Sequence, residues 1–344
     1  MDIKRLINEI AKGYEPNVDE LITILNLDEN EAEYLFDTAD KIRQEYCGDE
    51  IHIRGIIEFS NYCRCKCLYC GLTCENDNAK RYRMSVEEII DNAKEAYEAG
   101  YKTLVLQGGE DLWYTEEKIK DIIKGIKAIG DIAITLSVGE RTYEEYKAWR
   151  EAGADRFLIK HETADEELYN KLHPHSNFQN RIQCQKWLKD LGYQLGSGFM
   201  IGLPGQSTET IAKDILLLKE MDVDMAGIGP FISHPQTKLS SSESGSTFMT
   251  MKAVALSRIL LKKVHLPATT ALGVMNSKHK DRVFSTGANV IMLKVEPYKY
   301  RRLYEIYPKP FGQEKTVKEE RIQLENYIGS LGKTISQHRG DTLK

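Results

Sequence analysis

Residues 63–74 read "CRCKCLYCGLTC" and hold five of the chain's seven cysteines. Cys63, Cys67 and Cys70 form C-x3-C-x2-C, and Cys65-x-Cys67 and Cys70-x3-Cys74 are further pairs at metal-binding spacing. A [4Fe–4S] cluster normally takes four thiolates, so three from one loop leave one iron open. A structural zinc needs four ligands, which Cys63, Cys65, Cys67 and Cys70 offer at cramped spacing. Unligated, solvated thiols are the third reading. An odd number of cysteines bunched in one place does not suit a disulfide framework; in a reducing compartment it points to metal or catalysis.

What surrounds the loop separates these readings. It directly follows "IHIRGIIEF" (51–59), a β-branched run. Seven more such runs follow: "YKTLVLQGG" (101–109), "DIAITLSVG" (131–139), "DRFLIKHE" (155–162), "YQLGSGFMIGLPG" (193–205), "VDMAGIGPFI" (223–232), "LPATTALG" (266–273) and "ANVIMLKV" (288–295). Each is preceded by a helical segment, most of them ending at or near Gly. Strands alternating with helices mean βαβ units and a parallel sheet, and eight in succession predict a complete (β/α)8 TIM-type barrel. The cysteine loop then lies at the barrel's C-terminal mouth, where active sites are built. That position favours a catalytic cluster with an open iron.

Residues 1–50 read as an N-terminal helical extension, 51–312 as the barrel, and 313–344 as a C-terminal helical segment packed on it, with "EKTVKEERIQLENYIGSLGK" as the closing helix. The net charge of −5, with both signs scattered along the chain, argues against nucleic acid and against an anionic membrane surface. The charged, amphipathic "MDIKRLINEIAKGYEPNVDELITIL" has no apolar secretory core, and no run of about 18 apolar residues predicts a membrane span. A cytoplasmic enzyme is expected.

With an aromatic residue before its last cysteine, Cys63-x3-Cys67-x-Tyr69-Cys70 after strand 1 resembles the radical S-adenosylmethionine (SAM) superfamily. The resemblance implies that the three thiolates hold a [4Fe–4S] cluster whose open iron binds SAM. Reductive cleavage of SAM to a 5′-deoxyadenosyl radical is implied with it. It also implies that Tyr69 packs near the adenine and that Gly108, Gly109 and Glu110 in "QGGED" receive the amino group of SAM. Ser137, Glu162 and Arg181 are expected around its ribose and carboxylate. Cys65 and Cys74 fall outside the pattern.

Further segments, "GDEIHIRGIIEFSNYC", "KRYRMSVEEI", "EAGADRFLIKHETAD", "GIGPFISHPQTKL" and "YRRLYEIYP", resemble the [FeFe]-hydrogenase maturase HydE family over nearly the whole chain. This implies a small cysteine-bound iron carbonyl cyanide substrate. The implied partners are a radical SAM lyase, a GTPase scaffold and an electron donor such as ferredoxin or flavodoxin. Thr135, Arg156, Met225, Thr269, Thr270, Met292, Tyr304 and Tyr307 correspond to cavity positions of the family. Arg156 is singled out because a buried guanidinium needs an anion. His173 and His175 are expected to be solvated in a loop. Some family members carry a second, C-terminal cysteine group, whereas this chain has no cysteine after Cys184, so one cluster is expected. A mutase resembling methylornithine synthase, or biotin synthase, is the competing assignment.

Overall fold

The structure, a computed structural model, describes residues 2–310 and 312–344. Seven parallel strands form the central sheet: β1 (Glu50–Ser60), β2 (Thr103–Gly108), β3 (Ala133–Ser137), β4 (Arg156–Leu158), β5 (Gln194–Ile201), β6 (Met225–Pro230) and β7 (Val290–Lys294). Their order is β6-β5-β4-β3-β2-β1-β7, and the sheet curls through 259°. A two-residue strand, β8 (Thr334–Ile335), pairs with the start of β1. All but the first residue of β1 is buried, as expected of a parallel strand covered on both faces.

Three helices precede the sheet: α1 (Ile3–Ala11), α2 (Val18–Leu25) and α3 (Ala32–Cys47). Six helices make the five connections between β1 and β6: α4 (Val86–Glu98), α5 (Glu116–Ile129), α6 (Tyr143–Ala152), then α7 (Glu166–Leu172) with α8 (Phe178–Asp190), and α9 (Thr208–Glu220). The last part holds α10 (Thr247–Leu261), α11 (Thr270–Met275), α12 (Ser277–Arg282), α13 (Tyr298–Arg301) and α14 (Val317–Ser330). Reciprocal caps start several of them. Ser85 with Glu88, Thr142 with Glu145, and Thr316 with Glu319 each satisfy two otherwise orphaned backbone N–H groups. One apolar core runs from Leu6 in α1 to Ile328 in α14, so the terminal segments share it with the sheet. Among the described residues, no helix is long and apolar enough to cross a membrane.

Seven of the eight expected strands form. The exception is "LPATTALG", and with it the expectation of eight regular strands is corrected to seven. Pro267 has no N–H to give to a ladder, and Thr270 already opens α11. The segment still sits in the gap between β6 and β7. The Ala226 N–H donates to the His265 carbonyl at 3.0 Å, and the Ala268 N–H donates to the Val290 carbonyl at 2.9 Å. Each edge gains only an isolated bridge.

Register fixes what meets at the mouth. Ser60 of β1 lies opposite Gly108 of β2, and Gln107 lies opposite Ser137 of β3. The cysteine loop, the "GGE" turn and Ser137 therefore emerge from one edge of the sheet.

Candidate active site

Residues 61–80 form no regular secondary structure apart from turns, so side chains must satisfy their backbone. Arg81 carries much of that task. Its Nη1 donates to the carbonyls of Asn61 (2.6 Å) and Leu72 (2.9 Å), and its Nη2 to those of Thr73 (2.7 Å) and Asn76 (3.2 Å). Backbone bonds add three anchors: Leu68 N to Leu172 O at 3.0 Å, Gly71 N to Ile306 O at 2.8 Å, and Arg64 N to Glu110 O at 3.0 Å. The loop is thus tied to the segments after β2, β4 and β7. Arg81 was missed as a site-forming residue; its sequence signal is a guanidinium seven residues beyond the last of the bunched cysteines.

Cys63, Cys67 and Cys70 face a common cavity of about 390 Å³. Cys65 lines it as well, whereas Cys74 is exposed. A hydrogen bond with Cys65, then burial, holds the Cys63 thiol well above its usual range. Burial pushes the Cys70 thiol up to about 12. Crowded, desolvated thiols of this kind give up their protons when a cation arrives. Among the described residues no three His, Cys, Asp or Glu side chains converge as a ready-made site for a single metal ion. Cys63, Cys65, Cys67 and Cys70 are instead spread around one cavity.

Gly109 allows the second strand's turn to approach the first. A Cβ there would lie 2.2 Å from the Tyr62 carbonyl oxygen and 2.7 Å from Cys63 Cβ. Gly139, at φ +77°, leaves room for Glu110, whose Cγ would be 1.9 Å from an added Cβ. Glu110 accepts from the Glu140 N–H (2.9 Å) and from Arg64 Nε (3.2 Å). Arg181 enters the cavity from α8, with Nε on Glu140 (2.8 Å) and Nη1 on the Lys160 carbonyl (2.6 Å). Glu162 also lines the cavity and holds a left-handed backbone, φ 64°. Such conformations cost about 1–3 kcal/mol and cluster at functional sites. All seven expected SAM residues, Tyr69, Gly108, Gly109, Glu110, Ser137, Glu162 and Arg181, border this one cavity.

His173 and His175 are not solvated loop residues. His173 is buried, and desolvation lowers its pKa to about 3, so it is neutral. Its Nδ1 lies 2.8 Å from the Tyr169 carbonyl, which only accepts; Nδ1 therefore carries the proton. That leaves Nε2 to accept from the Tyr69 hydroxyl at 2.7 Å. The ring positions Tyr69. His175 accepts from the Lys66 N–H at 3.1 Å and lies 4.0 Å from Cys67 Sγ. The helical turn of α7 folds both rings back onto the cysteine loop, a tertiary effect with no local signal.

Of the eight expected substrate residues, six line the same cavity: Met225, Thr269, Thr270, Met292, Tyr304 and Tyr307. Thr269 Oγ1 is buried with no protein partner, an acceptor and donor left for a guest. A polar group not foreseen stands beside them. Lys294 pairs with Glu58, and Lys309 donates to the Tyr304 carbonyl at 3.0 Å; all three border the cavity. Burial lowers the pKa of Lys309 to about 8.

Arg156 and Thr135 are corrected. Neither borders the large cavity; both line a separate small void with Arg54 and His265. Arg156 opens β4 at the end away from the cysteine loop, so its guanidinium reaches the C-terminal tail. Its partners are Asp341 (2.7 Å), the Arg339 carbonyl (2.9 Å), Gln194 (3.0 Å) and Thr103 (3.1 Å). The buried cation has its anion within the chain. Met225 borders both spaces and takes a 2.7 Å contact from Arg54 Nη1 at its sulfur.

Residues 57–218 match the Radical SAM superfamily. The chain is 53% identical over 279 residues to the [FeFe] hydrogenase maturase subunit HydE of Thermotoga maritima, covering 81% of this chain and 79% of that one. It is 31% identical to the 3-methylornithine synthase of Methanosarcina acetivorans, over 84% and 83% of the two chains. Among solved structures, methylornithine synthase superposes with a TM-score of 0.85 at 24% identity, covering 96% of this chain and 97% of that one. The maturase HydG from Carboxydothermus hydrogenoformans gives 0.80 at 22%, covering 95% and 78%. These last two speak for the fold. The much higher identity to the maturase decides between the relatives: the chain is a radical SAM enzyme and belongs to the [FeFe]-hydrogenase maturase HydE family.

Proposed function

We propose that Cys63, Cys67 and Cys70 hold one [4Fe–4S] cluster, and that SAM lies across Tyr69, Gly108, Gly109, Glu110, Ser137, Glu162 and Arg181. The bound cluster would supply the electron that cleaves SAM to a 5′-deoxyadenosyl radical. The chain's own residues bind, orient and exclude water. The "GGE" turn offers backbone and a carboxylate to the amino group of SAM. Arg181 carries a guanidinium for its carboxylate, sharing it with Glu140. Residues 265–268 serve as the short eighth stave that shuts the cavity between β6 and β7. The substrate end is walled by Met225, Met292, Tyr304 and Tyr307, with Thr269 and Thr270 as polar contacts. It suits a small organometallic, cysteine-bound iron carbonyl cyanide complex in the maturation of an [FeFe] hydrogenase, with other maturases as its source and destination.

One observation carries this reading. Four thiols from one loop, Cys65 beside the matched Cys63, Cys67 and Cys70, and ligand-type side chains from three other strand ends border a single cavity. The test is anaerobic reconstitution followed by SAM cleavage and hydrogenase maturation. Cys63→Ser, Cys67→Ser and Cys70→Ser should each lose cluster iron and both activities, while Cys74→Ser keeps them; retention of SAM cleavage in Cys67→Ser would sink the assignment. The 31% identity to a 3-methylornithine synthase favours methylornithine synthesis as a second reading. Formation of 3-methylornithine by the reconstituted enzyme would establish it instead.

A further inference from the structure

Beside the cysteine loop lies a surface that none of the chemistry above uses. The loops after β1 and β2 expose three large apolar side chains: Tyr62 at 37%, Leu112 at 52% and Trp113 at 42%. Exposed aromatics grouped with arginine are what protein interfaces select. Arg83 lies 3.7 Å above the Tyr62 ring and 5.5 Å from the Trp113 ring. The Lys118 ammonium sits 3.1 Å from the Trp113 centroid. Tyr62 is the residue before Cys63, and its N–H is pinned to Ser60 Oγ at 3.2 Å.

The charges here are sorted by depth. Arg83 is 31% exposed, but its partner Asp111 only 4%. Arg64 is 51% exposed, but its partner Glu110 only 9%. Both carboxylates point inward and both guanidinium groups outward. Around the rings the surface presents Arg83 and Lys118, with Arg64 nearby and the exposed Glu116 and Glu117 of α5 paired to Lys120, although the chain as a whole carries −5. A second copy of this chain would bring the same cations face to face in a two-fold contact, so self-association is disfavoured.

We propose that this patch is the docking site for a small acidic electron-transfer protein, which delivers one electron to the centre held by the adjoining cysteine loop. The proposal rests on the reading that the loop holds a [4Fe–4S] cluster. The donor is oxidised by one electron and the cluster is reduced by one, from the 2+ to the 1+ state; no atom or proton changes hands. Opposite charge would steer the encounter, and the rings would supply the desolvated centre of the contact.

The experiment uses the full-length reconstituted protein with an acidic flavodoxin as probe. Affinity for oxidised flavodoxin is read by titration calorimetry at low and high salt. SAM cleavage is driven in parallel by reduced flavodoxin or by dithionite, a small reductant that needs no docking. The double variant Trp113→Ala/Lys118→Glu should bind flavodoxin about tenfold more weakly, with a flatter salt dependence. Its flavodoxin-driven rate should fall with it, while the dithionite-driven rate stays unchanged. Leu112→Asp, at an exposed tip, should show the same pattern more weakly and guards against misfolding of the double variant. Equal binding by wild type and both variants would overturn the proposal. So would unchanged flavodoxin binding with weakened binding of a partner maturase. Failure of the function reading looks different: wild type would then fail to cleave SAM even with dithionite.

Discussion

The two ends of the sheet treat polar side chains in opposite ways. At the C-terminal mouth, Thr269 Oγ1 is buried without a partner, Glu162 is held in a strained backbone, and Lys309 lies on the wall with its pKa lowered to about 8. At the other end the chain uses its own groups. Arg156 has four protein partners, Arg339 pairs with Asp131 at 2.7 Å and with Asp155 at 2.8 Å, and Thr342 donates to Asp224 at 2.7 Å. The mouth keeps groups free on a large cavity; the other end spends most of its groups on closing the fold, although Thr135 Oγ1 and Arg54 Nε beside the small void also lack partners. A buried cation is therefore no sign of a ligand until its intramolecular acceptors have been found.

The contrast can be broken from the closed end. Asp341→Ala removes the only carboxylate bonded to Arg156 among the described residues. Breaking a buried pair is costly, but Asp341 is 44% exposed, which discounts the effect to about 1–2 kcal/mol. Urea unfolding should show that loss while SAM affinity stays as in wild type; an equal loss of SAM affinity would mean the two ends are not separate.

At the open end the expected sign is reversed. Glu162→Gly relieves the φ 64° backbone and should stabilise by about 1 kcal/mol, seen as a higher melting temperature. The same change should weaken SAM binding, because the carboxylate is gone. A variant that is both less stable and equally good at binding SAM would refute the idea of strain held for function.

The smallest effect concerns Glu296, beside the wall. Burial, then Glu58, raises its pKa to about 8. The native state therefore binds more protons than the unfolded chain between the usual carboxylate range and pH 8, so its stability falls as pH rises through that window. Glu296→Gln removes the titration. The melting temperature of the variant relative to wild type should climb from pH 5 to pH 8; a constant difference would place Glu296 in a solvated setting.

Much of the fold was legible because period and punctuation are local properties. Alternating β-branched runs and capped helices need only neighbours in sequence, as with Ser85 and Glu88 opening α4. The run at 266–273 misled because the β-branched threonines look like a strand, whereas Pro267 and the start of α11 take the segment out of the ladder. In the site, the cysteine spacing, the "GGE" turn and Glu162 could be read directly, since each lies at a strand end. Arg81 binds carbonyls only 5 to 20 residues before it and was the one local signal overlooked, whereas the Tyr69 contact of His173 and the Lys294–Glu58 pair could not be read, because those partners are remote along the chain. Arg156 failed for the same reason: its anion is 185 residues away.

By itself the sequence determined that five thiols share one loop and at which end of a strand that loop falls, because covalent spacing and strand period leave few alternatives; Cys63, Cys67 and Cys70 are singled out among them by the family resemblance. Tertiary structure alone decided which charged groups face the cavity and which close the fold. That choice depends on where remote segments, above all the C-terminal tail, come to rest against the sheet.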